Sequence, residues 1–466
     1  VSRTLLTATV AATLLLPSLI IAAPPEDAPP QNKDAGYRGI WFTLGQVSEY
    51  GDKYSGGLGT YTAKHVPLAV YSPEAEKTFF VYGGAKKDSR HLLAMASYYD
   101  HRTGVVPRPT IVHDKQGVND PHDNPSIALD EQGHVWVFVS GRGRHRPGFK
   151  YRSVEPFSVD RFERISEEEM TYPQPWWIEG QGFLHLFTKY TGVRELYWNI
   201  SQDGRQWTEH QKLAGMGGHY QTSNRQGERV ITAFNMHPGG NPDRRTNLYF
   251  VETRDMGRTW KTVDGTVVET PMTEPDCPAL VRDYRAEGRL CYMKDIQFDT
   301  QGNPIILVVT SADHRPGPGG DPRAWTIVHW SGTDWKFHEV VRAGHNYDMG
   351  SLYVEQENLW RIIGPTETGP QPLGTGGEMA VWTSRDQGRT WQKQRQITHS
   401  SERNHAYARR PVAAHDDFYA FWADGNPDQF SISRLYFTNR EGTAVWRLPY
   451  EMAEEFAKPL RMPSTD

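Results

Sequence analysis

Histidine, tyrosine and cationic side chains recur in this chain at one kind of place, just before a short apolar run or just after one. The clearest case is Asn119-Asp-Pro-His122-Asp-Asn-Pro-Ser126, where His122 stands between two prolines and ahead of Ile127-Ala-Leu129. Proline fixes its own φ and pushes the residue before it towards extended backbone, so the ring is held at the start of a strand and not on a helix. Comparable strand starts carry His65, Tyr172, His219-Tyr220, His345 with Tyr347, and His405 with Tyr407. Strand ends carry Arg142, Lys189-Tyr190, His237, His314, Glu367 and Asp424. A set so rich in His, Tyr, Lys and Arg, with no symmetric pair of acids, does not suit glycoside hydrolysis by two carboxylates. It suits β-elimination at a uronic acid. A cation neutralises the sugar carboxylate and acidifies the C5 proton; one His or Tyr removes that proton and another protonates the departing oxygen. Which of the two is base is open. Histidine titrates near 6.5 and tyrosine near 10, so a tyrosine base needs a positive neighbour.

Each of these residues also has a structural use. His65 could cap or line a channel, Tyr172 could pack as an inner-strand aromatic, Arg142 and Lys189 could be solvated, and His237 could belong to the turn at Pro238-Gly-Gly. His101 falls in a turn that belongs to the opposite face and reads as structural.

The elements that must position these groups are short strands. With 15 Trp, 22 Tyr, 18 Phe, 43 Gly and 32 Pro in 466 residues, the composition favours strands and tight turns over helices. Seven aromatic or equivalent positions (Tyr98, Tyr151, Tyr197, Tyr249, His329, Trp382 and Tyr436) recur at gaps of about 50 residues, with one gap near 80. A second series of seven apolar strands runs from Phe79–Tyr82 through Val135–Val139, Phe183–Phe187, Val230–Phe234, Ile305–Val309 and Leu359–Ile363 to Phe418–Trp422. Units of this size that cover one another's faces predict an all-β, seven-bladed propeller, closed by a strand around Gly39-Ile-Trp-Phe42. Three turns, at Ser201–Trp207, Thr253–Trp260 and Ser384–Trp391, resemble the Asp-box of sialidase-type propellers. There the Asp folds back on turn amides, the Gly takes a conformation others avoid, and the Trp packs between blades.

Residues 1–23, uncharged from Leu5 to Ala23, read as a secretory signal peptide, and 24–35 as a polar spacer. The propeller then spans 36–450, with a tail at 451–466, and the protein is expected to be secreted or periplasmic with no membrane partner after signal cleavage. A net charge of −5 without a basic stripe argues against a nucleic-acid partner. Cys277 and Cys291 could pair, closing a loop of about 15 residues worth roughly 3 kcal/mol, or remain buried thiols.

Gly36-Tyr-Arg-Gly-Ile-Trp-Phe42, Tyr54-Ser-Gly-Gly-Leu-Gly-Thr-Tyr-Thr-Ala-Lys-His65, Asp120-Pro-His122-Asp-Asn-Pro and Leu186-Phe-Thr-Lys-Tyr190 resemble the BNR-4 group of propellers over about residues 36–450. That group includes ulvan lyases of polysaccharide lyase family 25, related rhamnose–glucuronate lyases and the rhamnosidases of glycoside hydrolase family 145. The resemblance implies a uronic-acid-containing polysaccharide as partner and a rhamnose–uronate linkage as target. It assigns the lyase histidine role to His122 and to His237, and the tyrosine role to Tyr172. Lys189 falls at the arginine position and Arg142 at that of a second histidine, two departures; Tyr190 and Tyr220 complete the substrate-binding set. The leading expectation is a lyase. A rhamnosidase using His65 on a different surface, and a non-catalytic glycan-binding propeller, are the alternatives. No cofactor is required for the elimination, and structural Ca²⁺ or Zn²⁺, the latter in a His-lined channel, would be an inference from relatives.

Overall fold

The computed structural model describes Val1, residues 32–58 and residues 64–463; the expected signal peptide and most of the spacer lie outside the described residues. Among those described, helix occurs only as three-residue 3-10 turns. No helix there is long and apolar enough to cross a membrane.

Seven antiparallel sheets follow one another along the chain, each with its first three strands consecutive in sequence. The first blade is Ala69–Ser72, Lys77–Ala85, Leu92–Asp100 and Thr110–Asp114. The second starts with Pro125–Leu129, Val135–Val139 and Gly148–Ser153. The third starts with Thr171–Ile178, Gly182–Tyr190 and Arg194–Ser201, and the fourth with Gln221–Gln226, Arg229–Met236 and Thr246–Thr253. The inner strands of the last three blades are Leu290–Phe298, Ser351–Val354 and Asn404–Arg409. The protein is a seven-bladed β-propeller.

The two repeating series mark the middle strands of every blade. Tyr98 pairs with Phe79, Tyr151 with Val137, Tyr197 with Phe187 and Tyr249 with Phe234. His329 pairs with Ile305, Trp382 with Ile362 and Tyr436 with Trp422. Second strands such as Val135–Val139 are buried at every residue, because blades stack on both faces and leave no polar side to alternate with. Each such Val or Phe contributes about 1.5–3 kcal/mol by leaving water. Outer strands such as Gln392–Gln396 stay largely exposed, which is why they lack an apolar signal.

The Asp-box turns close on themselves. Asp203 accepts from the amides of Arg205 and Gln206, Asp255 from Thr259 and Asp386 from Thr390, all within 3.0 Å. Trp207 stacks on Phe183 of its own blade and meets Phe138 of the second, 5.6 and 6.0 Å between ring centroids.

Closure differs from the expected single strand. Gly39 forms bridges to Gly84 in the first blade and Ser433 in the seventh, while Phe42–Thr43 pairs with Ser55–Gly56. The segment thus ties two complete blades together instead of completing one. The C-terminal residues add a second tie: Phe456–Ala457 pairs with Val106–Pro107, and Leu460–Arg461 joins the seventh blade.

Cys277 and Cys291 are free thiols. Cys291 packs with Leu248 and Phe250 on one face of the fourth blade, whereas Cys277 packs against Tyr249 and Val251 on the other. Strand alternation sends those neighbours to opposite faces, so the fourth blade stands between the two sulfurs.

Candidate active site

First strands begin, and second strands end, on one face of the ring, and the side chains held there converge. His122 lies on a 3-10 turn, Pro121–Asp123, capped by the Asp120 side chain, which accepts the His122 amide at 3.0 Å. The same carboxylate oxygen binds His122 Nδ1. Its other oxygen is gripped by Arg142 at 3.0 Å and Arg146 at 2.5 Å. Burial opposes the charge on Asp120, but His122 and Arg146 outweigh it and hold the carboxyl well below its usual range. The aspartate is therefore ionised, and it fixes His122 as the tautomer with its proton on Nδ1 and its lone pair on Nε2. Burial lowers the His122 pKa below 6.5, Asp120 pulls it back, and the guanidinium groups of Arg142 and Arg194 push it down again.

Tyr172 opens the first strand of the third blade with φ +56°. Its amide donates to Ser140 Oγ at 3.0 Å, and the strand pairing shifts register between Thr171 and Gln174. A bulky residue held in the left-handed region costs about 1–3 kcal/mol, and such conformations cluster at functional sites. The twist brings the Tyr172 ring into a contact chain. It stacks on His122 at 5.4 Å and meets His65 edge-on at 5.5 Å and Tyr220 at 5.7 Å. Tyr220 in turn meets His237 at 4.5 Å.

His237 is fully buried, and neither ring nitrogen has a hydrogen-bond partner. Burial, followed by the charges of Arg245 and Arg194, drives its pKa far below 6.5. The Tyr220 hydroxyl is likewise buried without a partner. Arg194, at the start of a third strand, sits 5.6 Å from the centroids of both Tyr190 and Tyr220. Arg142 approaches Tyr190 from the other side at 5.8 Å. Arg245 lies 5.0 Å from the Tyr220 ring and donates to the Tyr347 hydroxyl at 2.9 Å. A cavity of about 310 Å³ opens over this cluster, lined by His122, Asp120, Arg142, Arg194, Arg245 and Tyr347. A wider cleft of about 430 Å³ at Arg361, Asp386 and Arg395 lies beside an Asp-box and holds none of these groups.

His122, Tyr172, His237, Arg142, Tyr190 and Tyr220 are thus brought together. Lys189 is not. It neighbours Tyr190 on one strand, so the pleat turns it to the other face, and its Nζ lies 5.1 Å over Tyr197 beside Lys212. The cations at the cluster are instead the guanidinium groups of Arg142, Arg194 and Arg245. His65, expected on a separate surface, is buried inside the same cluster with Nε2 3.0 Å from the His122 carbonyl, and burial pulls its pKa down to about 3. Other strand-end residues meet structural partners: Glu367 pairs with Lys393, and Asp424 accepts from Tyr436 at 2.9 Å. Asp120, Arg194 and Arg245 were not singled out by sequence. Asp120 stood two residues from His122, where a carboxylate could have been read as its orienting partner; the two arginines had no motif. No set of three metal-ligating side chains falls in this funnel among the described residues.

Residues 93–343 match the family described as BNR repeat-containing family member. This chain belongs to that BNR-4 family. Among curated relatives, the polysaccharide lyase family 25 ulvan lyase of Pseudoalteromonas sp. (strain PLSV) is 21% identical over 306 residues, 55% of this chain and 60% of its own. The ulvan lyase of Alteromonas sp. (strain LOR) is 20% identical over 253 residues, 46% of this chain and 52% of its own. The matched part therefore spans little more than half the length of these relatives. Among solved structures, a family 25 ulvan lyase bound to a glucuronate–(1-4)–3-sulfated rhamnose chain superposes with TM-score 0.70 at 15% identity, covering 88% of this chain and 96% of that one. The superposition carries the propeller fold of the BNR-4 member.

Proposed function

We propose that this chain is an exported polysaccharide lyase that cleaves rhamnose-α-1,4-glucuronate linkages by β-elimination. The observation that carries the reading is the buried His122–Asp120 pair stacked on Tyr172 beneath a cavity walled by arginines. The ulvan lyase relatives and the glucuronate–rhamnose chain bound to one of them support the same substrate class.

In this reading the uronate carboxylate lies against Arg142, Arg194 and Arg245. Guanidinium groups keep their charge at any working pH and offer paired donors to a carboxylate. Neutralising that carboxylate stabilises the negative charge that develops when C5 loses its proton. Neutral His122 takes the proton on Nε2, and the electron pair of the C5–H bond is held by the neutralised carboxylate. That pair becomes the C4–C5 double bond as the C4–O bond breaks and its electrons leave with the oxygen. Tyr172, pressed against His122, protonates the departing oxygen, and the products are an unsaturated uronate end and a free hydroxyl on rhamnose. The Asp120 carboxylate supplies tautomer and orientation and stabilises the imidazolium that forms, as an aspartate does beside a histidine base elsewhere. His237, kept neutral by burial, assists by holding the Tyr220 ring that backs Tyr172.

The test is the unsaturated product. Incubation with ulvan or rhamnose-capped arabinogalactan is expected to raise ultraviolet absorbance as the unsaturated uronate accumulates. Release of free rhamnose with a saturated uronate would instead make the chain a hydrolase, and binding without any product would make it a glycan-binding propeller. His65 gives no support to a separate hydrolase centre, since it packs on Tyr172.

A further inference from the structure

The face opposite the funnel carries a second group of histidines that the elimination does not use. His101 follows the third strand of the first blade, Leu92–Asp100. His415 and Asp417 lie in the loop between Asn404–Arg409 and Ala420–Gly425 of the seventh blade. First and third strands run away from the mouth, so both positions fall at the far end of the ring, on the seam where the last blade meets the first. The seam is held there by few backbone links: the Tyr71 amide donates to the Val412 carbonyl at 2.9 Å, and Val70 forms a single parallel bridge with Val412.

One ligand atom each from His101, His415 and Asp417 lies within 4.8 Å of the other two. The imidazoles are 3.9 Å apart between ring centroids. Tyr71 packs on both, at 5.2 and 4.9 Å, and Tyr99 meets His101 at 4.9 Å. His101 Nε2 is 2.8 Å from Thr78 Oγ1, while its Nδ1 is buried with no hydrogen-bond partner. That is the pattern of a metal-binding histidine, one nitrogen fixed by an outer partner and the other left with its lone pair. His415 Nδ1 lies 3.8 Å from an Asp417 carboxylate oxygen and receives the Asp417 amide at 3.1 Å, a contact that metal on that nitrogen would replace.

We propose that His101, His415 and Asp417 form a site for a zinc-class divalent cation that staples the first blade to the seventh. Two imidazoles and a carboxylate suit zinc and its neighbours in the first transition row, whereas calcium and magnesium take all-oxygen sets. Metal–ligand bonds near 2 Å place tetrahedral ligands about 3.4 Å apart, so the set must draw in by roughly 1 Å, and the exposed Asp417 side chain has the freedom to do so. Water would fill the fourth position. The site is structural, since it faces away from the funnel and touches none of its residues.

The experiment is zinc titration of the chelator-treated full chain, followed by calorimetry and by thermal unfolding, with calcium as the control cation. One zinc per chain is expected, with Tm rising by about 3 °C at a hundredfold excess over Kd and no rise with calcium. His101→Gln and Asp417→Asn should each lose the rise, and Thr78→Val should weaken zinc 10- to 100-fold. Should His101→Gln fail to fold, Asp417→Asn decides, because its side chain is exposed. No zinc binding, or one tight zinc retained unchanged in Asp417→Asn, would overturn the proposal, whatever the outcome of the lyase assay.

Discussion

In the Asp-box turns the carboxylates are used up locally. Asp203, Asp255 and Asp386 each accept amides of their own turns, and burial costs nothing that the turn does not return. At the mouth of the funnel the same protein buries His237 and the Tyr220 hydroxyl without partners, each at about 1–3 kcal/mol, and holds Tyr172 in a left-handed conformation within a strand, whereas the Asp-box turns use that conformation, at Met256 and Gln387, to reverse the chain. A propeller assembled for stability alone has no reason to tolerate these. The contrast teaches that, in a fold of seven similar blades, the functional sector is found where the repeat's own solutions are abandoned. In the proposed function that sector is the mouth of the second to fourth blades.

The largest effects are expected at His122 and Tyr172. His122→Ala and Tyr172→Phe are each expected to lower turnover 10²- to 10⁴-fold, the span of a lost general acid or base, in a steady-state assay of unsaturated product. Asp120→Asn keeps the shape but removes the charge that sets the His122 tautomer, and should cost about 10²-fold or more in kcat with little change in KM.

Next comes a pair on one β-hairpin. Arg194→Ala should raise KM by 10-fold or more, as loss of a charged hydrogen bond worth about 1.5–3 kcal/mol, whereas Lys189→Ala should leave kcat/KM within about twofold. A KM effect at Lys189 would mean that the carboxylate lies on the other face of that strand. The difference between these neighbours also shows where sequence legibility ends. The blade number was readable because Tyr98, Tyr151 and their five counterparts recur at gaps of about 50 residues, with one gap near 80, each opposite an apolar second strand. His122 and Tyr172 were readable because proline or a strand start singled them out. Lys189 misled because contiguity with Tyr190 says nothing about which face a side chain takes until the strand is phased. Arg194 and Arg245 reach the cluster from the starts of third strands, whereas the His and Tyr series marks first-strand starts and second-strand ends, and only the closed ring shows that they meet Tyr190 and Tyr220.

Acid should separate activity from stability. A buried neutral histidine whose folded pKa lies below 6.5 binds its proton more readily unfolded, so stability is full above about 6.5 and falls as pH drops towards the folded value. His65 and His345, both buried to pKa values of about 3, should each remove roughly 1.4 kcal/mol per pH unit below about 6.5, visible as a falling Tm. The acid limb of kcat, set by His122 with a pKa lowered by burial, should have its midpoint below 6.5. On the opposite face the effect is smallest: Asp386→Ala should cost about 1–2 kcal/mol through its orphaned turn amides and leave kcat of the folded enzyme unchanged.

Elimination across a uronate by His122 and Tyr172 at this mouth is read by ultraviolet absorbance during incubation of wild type, His122→Ala, Tyr172→Phe and Lys189→Ala with a rhamnose–glucuronate polysaccharide. A rise in wild type and Lys189→Ala that is lost in the other two is the predicted result. A rise that survives both funnel substitutions, or a flat wild-type trace with free rhamnose, would contradict it.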